Sequence, residues 1–191
     1  MEEFETLSDK FERLEKKILK EDFQNNAGLS NEIGYYIFTY NPKLELEVRD
    51  RIIDLQKNMS SSLSIKIFNI YEVVMDYINH FQYQQPLIQM EKSDGLNEVS
   101  VQINNVLEMD EDNNIIVQHI NSNLQSTKSV IFLTGIGQIY PILRAHKILN
   151  TMTQIIDQYP VIMFYPGNYD GLNLKAFGKV EDSNYYRAFS I

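Results

Sequence analysis

Two short apolar runs near the end of the chain, Val130-Ile131-Phe132-Leu133-Thr134 and Val161-Ile162-Met163-Phe164-Tyr165, constrain the fold more than any other feature. Neither alternates between apolar and polar residues, as a strand with one face in water would. Runs of about five apolar residues bounded by turn formers suit strands buried on both faces, as in a parallel sheet covered by helices. Each run closes on a glycine-containing segment, Gly135-Ile136-Gly137 and Pro166-Gly167-Asn168-Tyr169-Asp170-Gly171. Two strands of one sheet would deliver those segments side by side.

The rest of the pattern extends this reading. Phe4, Leu7, Phe11, Leu14 and Ile18 recur at spacings of three and four among charged residues, which predicts an amphipathic helix over residues 3–22. Its seam either packs on the chain's own sheet or is offered to a partner; two heptads are too few for a coiled coil. Tyr35–Tyr40, rich in aromatic and β-branched residues, predicts a first strand. Asn41-Pro42 then reads as cap and first helical position, before a helical stripe of Leu44, Val48, Ile52, Leu55 and Met59. A second strand over Ser64–Ile70 leads into a helix carrying Val73, Val74, Tyr77, Ile78 and Phe81.

Residues 82–128 are polar and interrupted by Pro86 and Asp94-Gly95, with one helix predicted around Val99, Ile103 and Val106 and another around Ile116, Ile120 and Leu124. The region reads as a helical insertion before the third core strand. A long helix with the stripe Ile142, Ala145, Leu149, Met152 and Ile156 separates the two apolar runs, and a short strand over Leu174–Phe177 precedes the tail. Strands alternating with helices imply right-handed crossovers. The expected fold is therefore α/β: a three-layer, Rossmann-like, mostly parallel sheet with helices on both faces, as one domain over residues 1–191 with residues 1–24 as an N-terminal amphipathic helix.

Composition narrows the function. A chain of 191 residues suits one domain, which buries roughly 70% of the surface its unfolded form exposes. The net charge of −9 argues against direct nucleic-acid binding, since phosphate affinity comes from clustered Lys and Arg. With no cysteine, Cys-based catalysis and Cys-rich zinc sites are excluded, and the chain suits a reducing compartment. The acidic start Met1-Glu2-Glu3 is unlike a signal peptide, and no run approaches the roughly 18 apolar residues of a membrane span, so a cytoplasmic protein is expected.

In sheets of this kind, ligands gather beyond the carboxyl ends of the strands. Thr134-Gly135-Ile136-Gly137 lies between a strand and a helix, where glycines let the backbone approach a phosphate. Tyr140 stands where G-x-G-x-x-G needs its third glycine, and no Gly-Lys-Ser or Gly-Lys-Thr occurs, so the glycines equally suit a tight turn. Arg144, near the start of the next helix, is placed to reach an anion at the strand ends or to form a surface ion pair. In the loop Pro166 to Gly171, Gly167 and Asp170 are ordinary turn formers, although Asp170 is a residue type able to orient a hydroxyl. Tyr185, Tyr186 and Arg187, with Phe189, are residue types enriched at interface anchors. Asp110-x-Asp112-x-Asn114 imitates a calcium loop but lacks its glycine and bidentate glutamate, and His80, His119 and His146 form no zinc motif. The residues therefore predict no catalytic set, no metal and no cofactor. A nucleotide- or phosphate-binding role at Gly135, Gly137 and Arg144, with weak or no hydrolysis, stands as the alternative to an interaction module.

Three ordered blocks carry a resemblance: Phe132 through Arg144, Phe164 through Gly171, and Phe177-Gly178 with Asn184-Tyr185-Tyr186-Arg187-Ala188-Phe189. Together they resemble the BrxB family of the BREX bacteriophage-exclusion systems. That resemblance implies a bacterial accessory protein of anti-phage defence, encoded beside an alkaline-phosphatase-like protein, an ATPase and an adenine methyltransferase. It also implies the alkaline-phosphatase-like component as principal partner, with other BREX proteins as further ones. The family supplies no catalytic residues to carry over.

Overall fold

A computed structural model describes residues 5–25, 34–124, 129–170, 173–177, 180–182 and 188–191. In chain order its elements are α1 (Leu7–Ile18), α2 (Glu21–Gln24), β1 (Tyr35–Tyr40), α3 (Glu45–Met59), β2 (Ser64–Asn69), α4 (Ile70–His80), α5 (Gln84–Asp94), α6 (Leu96–Val106) and α7 (Ile115–Ser122). They continue with β3 (Ser129–Thr134), α8 (Ile136–Ile139), α9 (Ala145–Ile155), β4 (Val161–Tyr169), β5 (Leu174–Ala176), β6 (Val180–Asp182) and β7 (Phe189–Ser190).

The main sheet runs β2-β3-β4-β1-β7, and every pairing in it is parallel. The two apolar runs are its central neighbours, with Ile131 opposite Val161 and Leu133 opposite Met163. Burial on both faces explains why they do not alternate. Successive side chains of a strand point to opposite faces, and two cores result. Tyr35, Ile37, Ile131, Leu133, Val161 and Met163 join one core with α4, α6, α7, α8 and α9. Phe38, Val130, Phe132, Ile162 and Phe164 join the other with α1 and α3. The fold is thus α/β, a mostly parallel sheet between two helical layers, consistent with a Rossmann-like arrangement.

The N-terminal seam packs on the chain's own sheet. Phe11, Leu14 and Ile18 are buried, and the Phe11 ring lies 5.0 Å from Phe38. A capping box starts this helix at Thr6: Asp9 N donates to Thr6 Oγ1 (3.2 Å) and Thr6 N to Asp9 Oδ2 (2.9 Å). Thr6 Oγ1 also donates to Asp9 Oδ2 at 2.6 Å, and that bond first, then the one from Thr6 N, holds the Asp9 carboxyl below its usual range. The helix is accordingly shorter than the predicted 3–22, ending at Ile18 before the single turn α2.

Three expectations are corrected. First, α5 lies where Pro86 suggested a break. Pro86 is its third residue, a first-turn position whose N–H has no helical partner to lose, and α5 buries no residue, so no apolar stripe announced it. Gly95, at φ 88°, ends α5 and opens α6. Second, the long helix expected from Ile142 begins only at Ala145. Pro141 keeps Tyr140 extended at φ −66°, ψ 137°, and the Ile142 carbonyl accepts from Ser100 Oγ (3.0 Å) and Asn104 Nδ2 (2.9 Å) of α6. Third, Pro166 and Gly167 are buried strand residues rather than loop, because β4 runs on to Tyr169 and turns from its parallel neighbours to pair antiparallel with β5.

Candidate functional site

At the carboxyl edge of the sheet, the chain itself occupies the space its glycines create. Gly135 has φ 74°, and a Cβ there would lie 1.9 Å from Asn69 Oδ1. That oxygen caps α4, accepting from Glu72 N at 3.4 Å. A Cβ on Gly137 would lie 2.6 Å from Pro166 Cγ, so the two glycine segments are in direct contact. A phosphate cradle needs open backbone N–H groups beyond the strand end. Here Asn69 and Pro166 fill that place, and α8 is a single turn of four residues. The glycines act as packing residues.

Beside them lies a cleft between α8, the start of α9 and the β4–β5 hairpin, lined by Ile136, Gly137, Tyr140, Leu143, Arg144, Tyr165, Pro166 and Phe177. Its room for water is about 10 Å³, about one molecule. That enclosed room is far smaller than a nucleotide. Phe177 forms one lip, its ring edge-on to Tyr140 at 5.6 Å and 72°. Its N–H donates to the Pro166 carbonyl at 2.9 Å. Arg144, exposed, is the N-cap residue of α9 and the cleft's one charged lining residue.

Of the residues picked out by sequence, Gly137, Tyr140, Arg144 and Pro166 therefore share one cleft. Thr134 ends β3, opposite Asn69. Gly167 serves the hairpin: its Cβ would lie 2.1 Å from the Lys175 carbonyl oxygen, a backbone atom that cannot swing away. Gly167→Ala is expected to cost about 1–3 kcal/mol, in line with an overpacked site, read as a lower midpoint in urea unfolding. An unchanged midpoint would mean the hairpin does not close this tightly. Asp170 does turn work, Oδ1 accepting from Asn173 N at 2.7 Å. Tyr185, Tyr186, Arg187 and Gly171 lie outside the described residues.

Elsewhere polar groups have structural tasks. Asn114 Oδ1 caps α7, accepting from Val117 N at 3.1 Å, and Asp110 pairs with Lys147 Nζ at 2.8 Å. Tyr40, at the end of β1, donates to Glu45 Oε2 at 2.5 Å. Burial first, and then that carboxylate, push its hydroxyl well above the usual tyrosine range, so it stays a neutral donor. Among the described residues, no three His, Asp or Glu side chains converge as metal ligands, and no helix is long and apolar enough to cross a membrane.

Sequence reasoning missed Phe177, Leu143 and Tyr165 as cleft walls and Ser100 and Asn104 as supports for the turn at Ile142. Only the hairpin's return over α8 brings Phe177 to Tyr140. Phe177-Gly178 is an aromatic followed by glycine at a strand end, and this was the one local hint.

Among known proteins, the family described as "BREX protein BrxB" matches residues 66–191. The chain is 39% identical over 187 residues to a BREX protein BrxB of Bacillus cereus (strain H3081.97), spanning 97% of each chain. It is 27% identical over 179 residues to a BREX protein BrxB of Escherichia coli O9:H4 (strain HS), spanning 94% of this chain and 88% of the relative. No solved structure matches at a significant level.

Proposed function

The chain belongs to the BrxB family of BREX proteins, and from that premise we propose that it is a non-catalytic docking component of its anti-phage system, with the alkaline-phosphatase-like component as its partner. The observation that carries the reading is the plugged carboxyl edge. In folds of this type reactions are hosted beyond the strand ends, and here Asn69 and Pro166 lie against Gly135 and Gly137, while the Lys175 carbonyl lies against Gly167 inside the β4–β5 hairpin. What remains is an apolar cleft whose lining, among the described residues, holds one cation and no carboxylate or imidazole. An aromatic-lined surface with a single Arg has the composition of an interface anchor rather than of a reaction centre.

Co-expression with the alkaline-phosphatase-like component tests this. The two proteins are expected to co-purify and to elute together, earlier than either alone, in size-exclusion chromatography. Separate elution would count decisively against docking. Tyr185, Tyr186 and Arg187 belong to the same proposal as tail anchors, and alanine at all three is expected to weaken the complex. The nucleotide alternative makes the opposite forecast: a ligand bound only to the folded state at a hundredfold excess over Kd stabilises it by about 2.7 kcal/mol, whereas the narrow cleft leads us to expect no shift in Tm with millimolar ATP or phosphate.

A further inference from the structure

Resting on the docking reading above, we propose that the cleft between Tyr140 and Phe177 is the contact point, and that it receives a partner segment in which an apolar side chain is followed by a carboxylate. Three independent observations meet there.

The walls are apolar and aromatic, supplied by Ile136, Tyr140, Leu143, Tyr165, Pro166 and Phe177. Such walls select an aliphatic or aromatic side chain rather than a sugar or phosphate. One lip is strained: Phe177 holds a left-handed backbone at φ 53°, a region that bulky residues rarely occupy, while its ring stays 39% exposed. An exposed aromatic kept in an unfavourable backbone conformation marks a place where function outweighs local stability. The hydrogen bond from Phe177 N to the Pro166 carbonyl holds the backbone, and since the enclosed room is about 10 Å³, the incoming side chain takes its place between the two rings by displacing the exposed Phe177 ring from its edge-on contact with Tyr140.

Charge sets the second half of the occupant. Arg144 is exposed at the rim, and while its carbonyl accepts from Lys147 N at 3.1 Å in the first turn of α9, its guanidinium makes neither a hydrogen bond nor an ion pair with any described residue. Its side chain does not cap α9. A cation at a helix N-terminus also sits at the unfavourable end of the helix dipole. An incoming carboxylate relieves both, pairing bidentately with the guanidinium while facing the positive end of α9. Within a chain of net charge −9, the one cation among the cleft's described lining residues gives a partner a local, sign-specific contact.

The test compares complexes formed by the full-length protein co-expressed with the alkaline-phosphatase-like component. Arg144→Glu is expected to reduce recovered partner by about tenfold or more, with Arg144→Lys in between because it keeps charge but loses the bidentate fork. Phe177→Gly, which removes the ring and relaxes the backbone, is expected to weaken the complex while leaving or raising Tm. Lys16→Glu, an exposed reversal on α1 in the opposite layer, is expected to leave recovery unchanged.

Wild-type recovery by both Arg144→Glu and Phe177→Gly would overturn the cleft assignment and leave docking intact. Equal losses in Arg144→Glu and Lys16→Glu would overturn it too, as would Arg144→Glu dissolving a homodimer instead of the mixed complex. No complex with the wild-type protein would refute docking itself, and this inference with it.

Discussion

Phe164→Ala is expected to lower stability by about 3–5 kcal/mol, the usual cost of deleting a fully buried ring. Phe164 is 1% exposed and stands at the centre of the α1/α3 core. Its ring lies 5.1 Å from Phe38, 5.0 Å from Phe132 and 6.3 Å from Phe11. The rings of β1, β3, β4 and α1 thus meet at one point. Removing it leaves a cavity bordered by rigid strands on both sides, which cannot collapse as a surface site would. Against a typical total of about 5–15 kcal/mol, such a loss brings the protein near its unfolding threshold. Urea unfolding measures it: the midpoint should fall with the slope unchanged, and Phe164→Leu should lose less than Phe164→Ala. A loss below about 1 kcal/mol would be too small for a ring in a closed core and would refute this convergence.

Gly135→Ala should cost about 2–3 kcal/mol, by two routes that can be separated. A left-handed conformation disfavours any side chain by about 1–2 kcal/mol. In addition, the new Cβ would meet Asn69 Oδ1 at 1.9 Å, forcing that side chain off α4, and losing an Asn cap costs about 1 kcal/mol. A double-mutant cycle distinguishes the two. Once Asn69→Ala has removed the cap, Gly135→Ala should cost only the backbone share, so the two losses will not add. Full additivity would mean that Asn69 does not fill the glycine's space. A stable Gly135→Ala variant that lost binding of a phosphate-bearing ligand would restore the reading of this turn as a cradle.

β1 matches its expected bounds at Tyr35–Tyr40, and β2 and β3 differ from theirs by a single residue; in β1 and β3, runs of aromatic and β-branched residues buried largely on both faces leave no competing assignment. The α3 stripe appears with Val48, Ile52, Leu55 and Met59 buried. α5 was illegible because none of its residues is buried, Leu87 and Met90 only partly covering the core. The break at Pro141 was partly visible in the proline, yet the late start of α9 depends on Ser100 and Asn104, some forty residues upstream.

The candidate site divides in the same way. Tyr140, Arg144 and Pro166 stand out as residue types at strand ends, and the two glycine segments were expected side by side. Whether Gly135 faced a ligand or another part of the protein depended on where Asn69 lay. That is a contact between β3 and a neighbouring strand whose partner no local pattern names.

Hydrophobic periodicity was enough to specify β1, β2 and β3 and the buried stripes of α1, α3 and α4, because each of those depends on residues within a turn or two of one another. Tertiary structure alone decided what fills the strand ends, where β4 leaves its parallel neighbours, and which aromatic closes over Tyr140. Those outcomes turn on close approaches between segments far apart in the chain, where a single missing Cβ determines whether backbone, side chain or partner occupies the space.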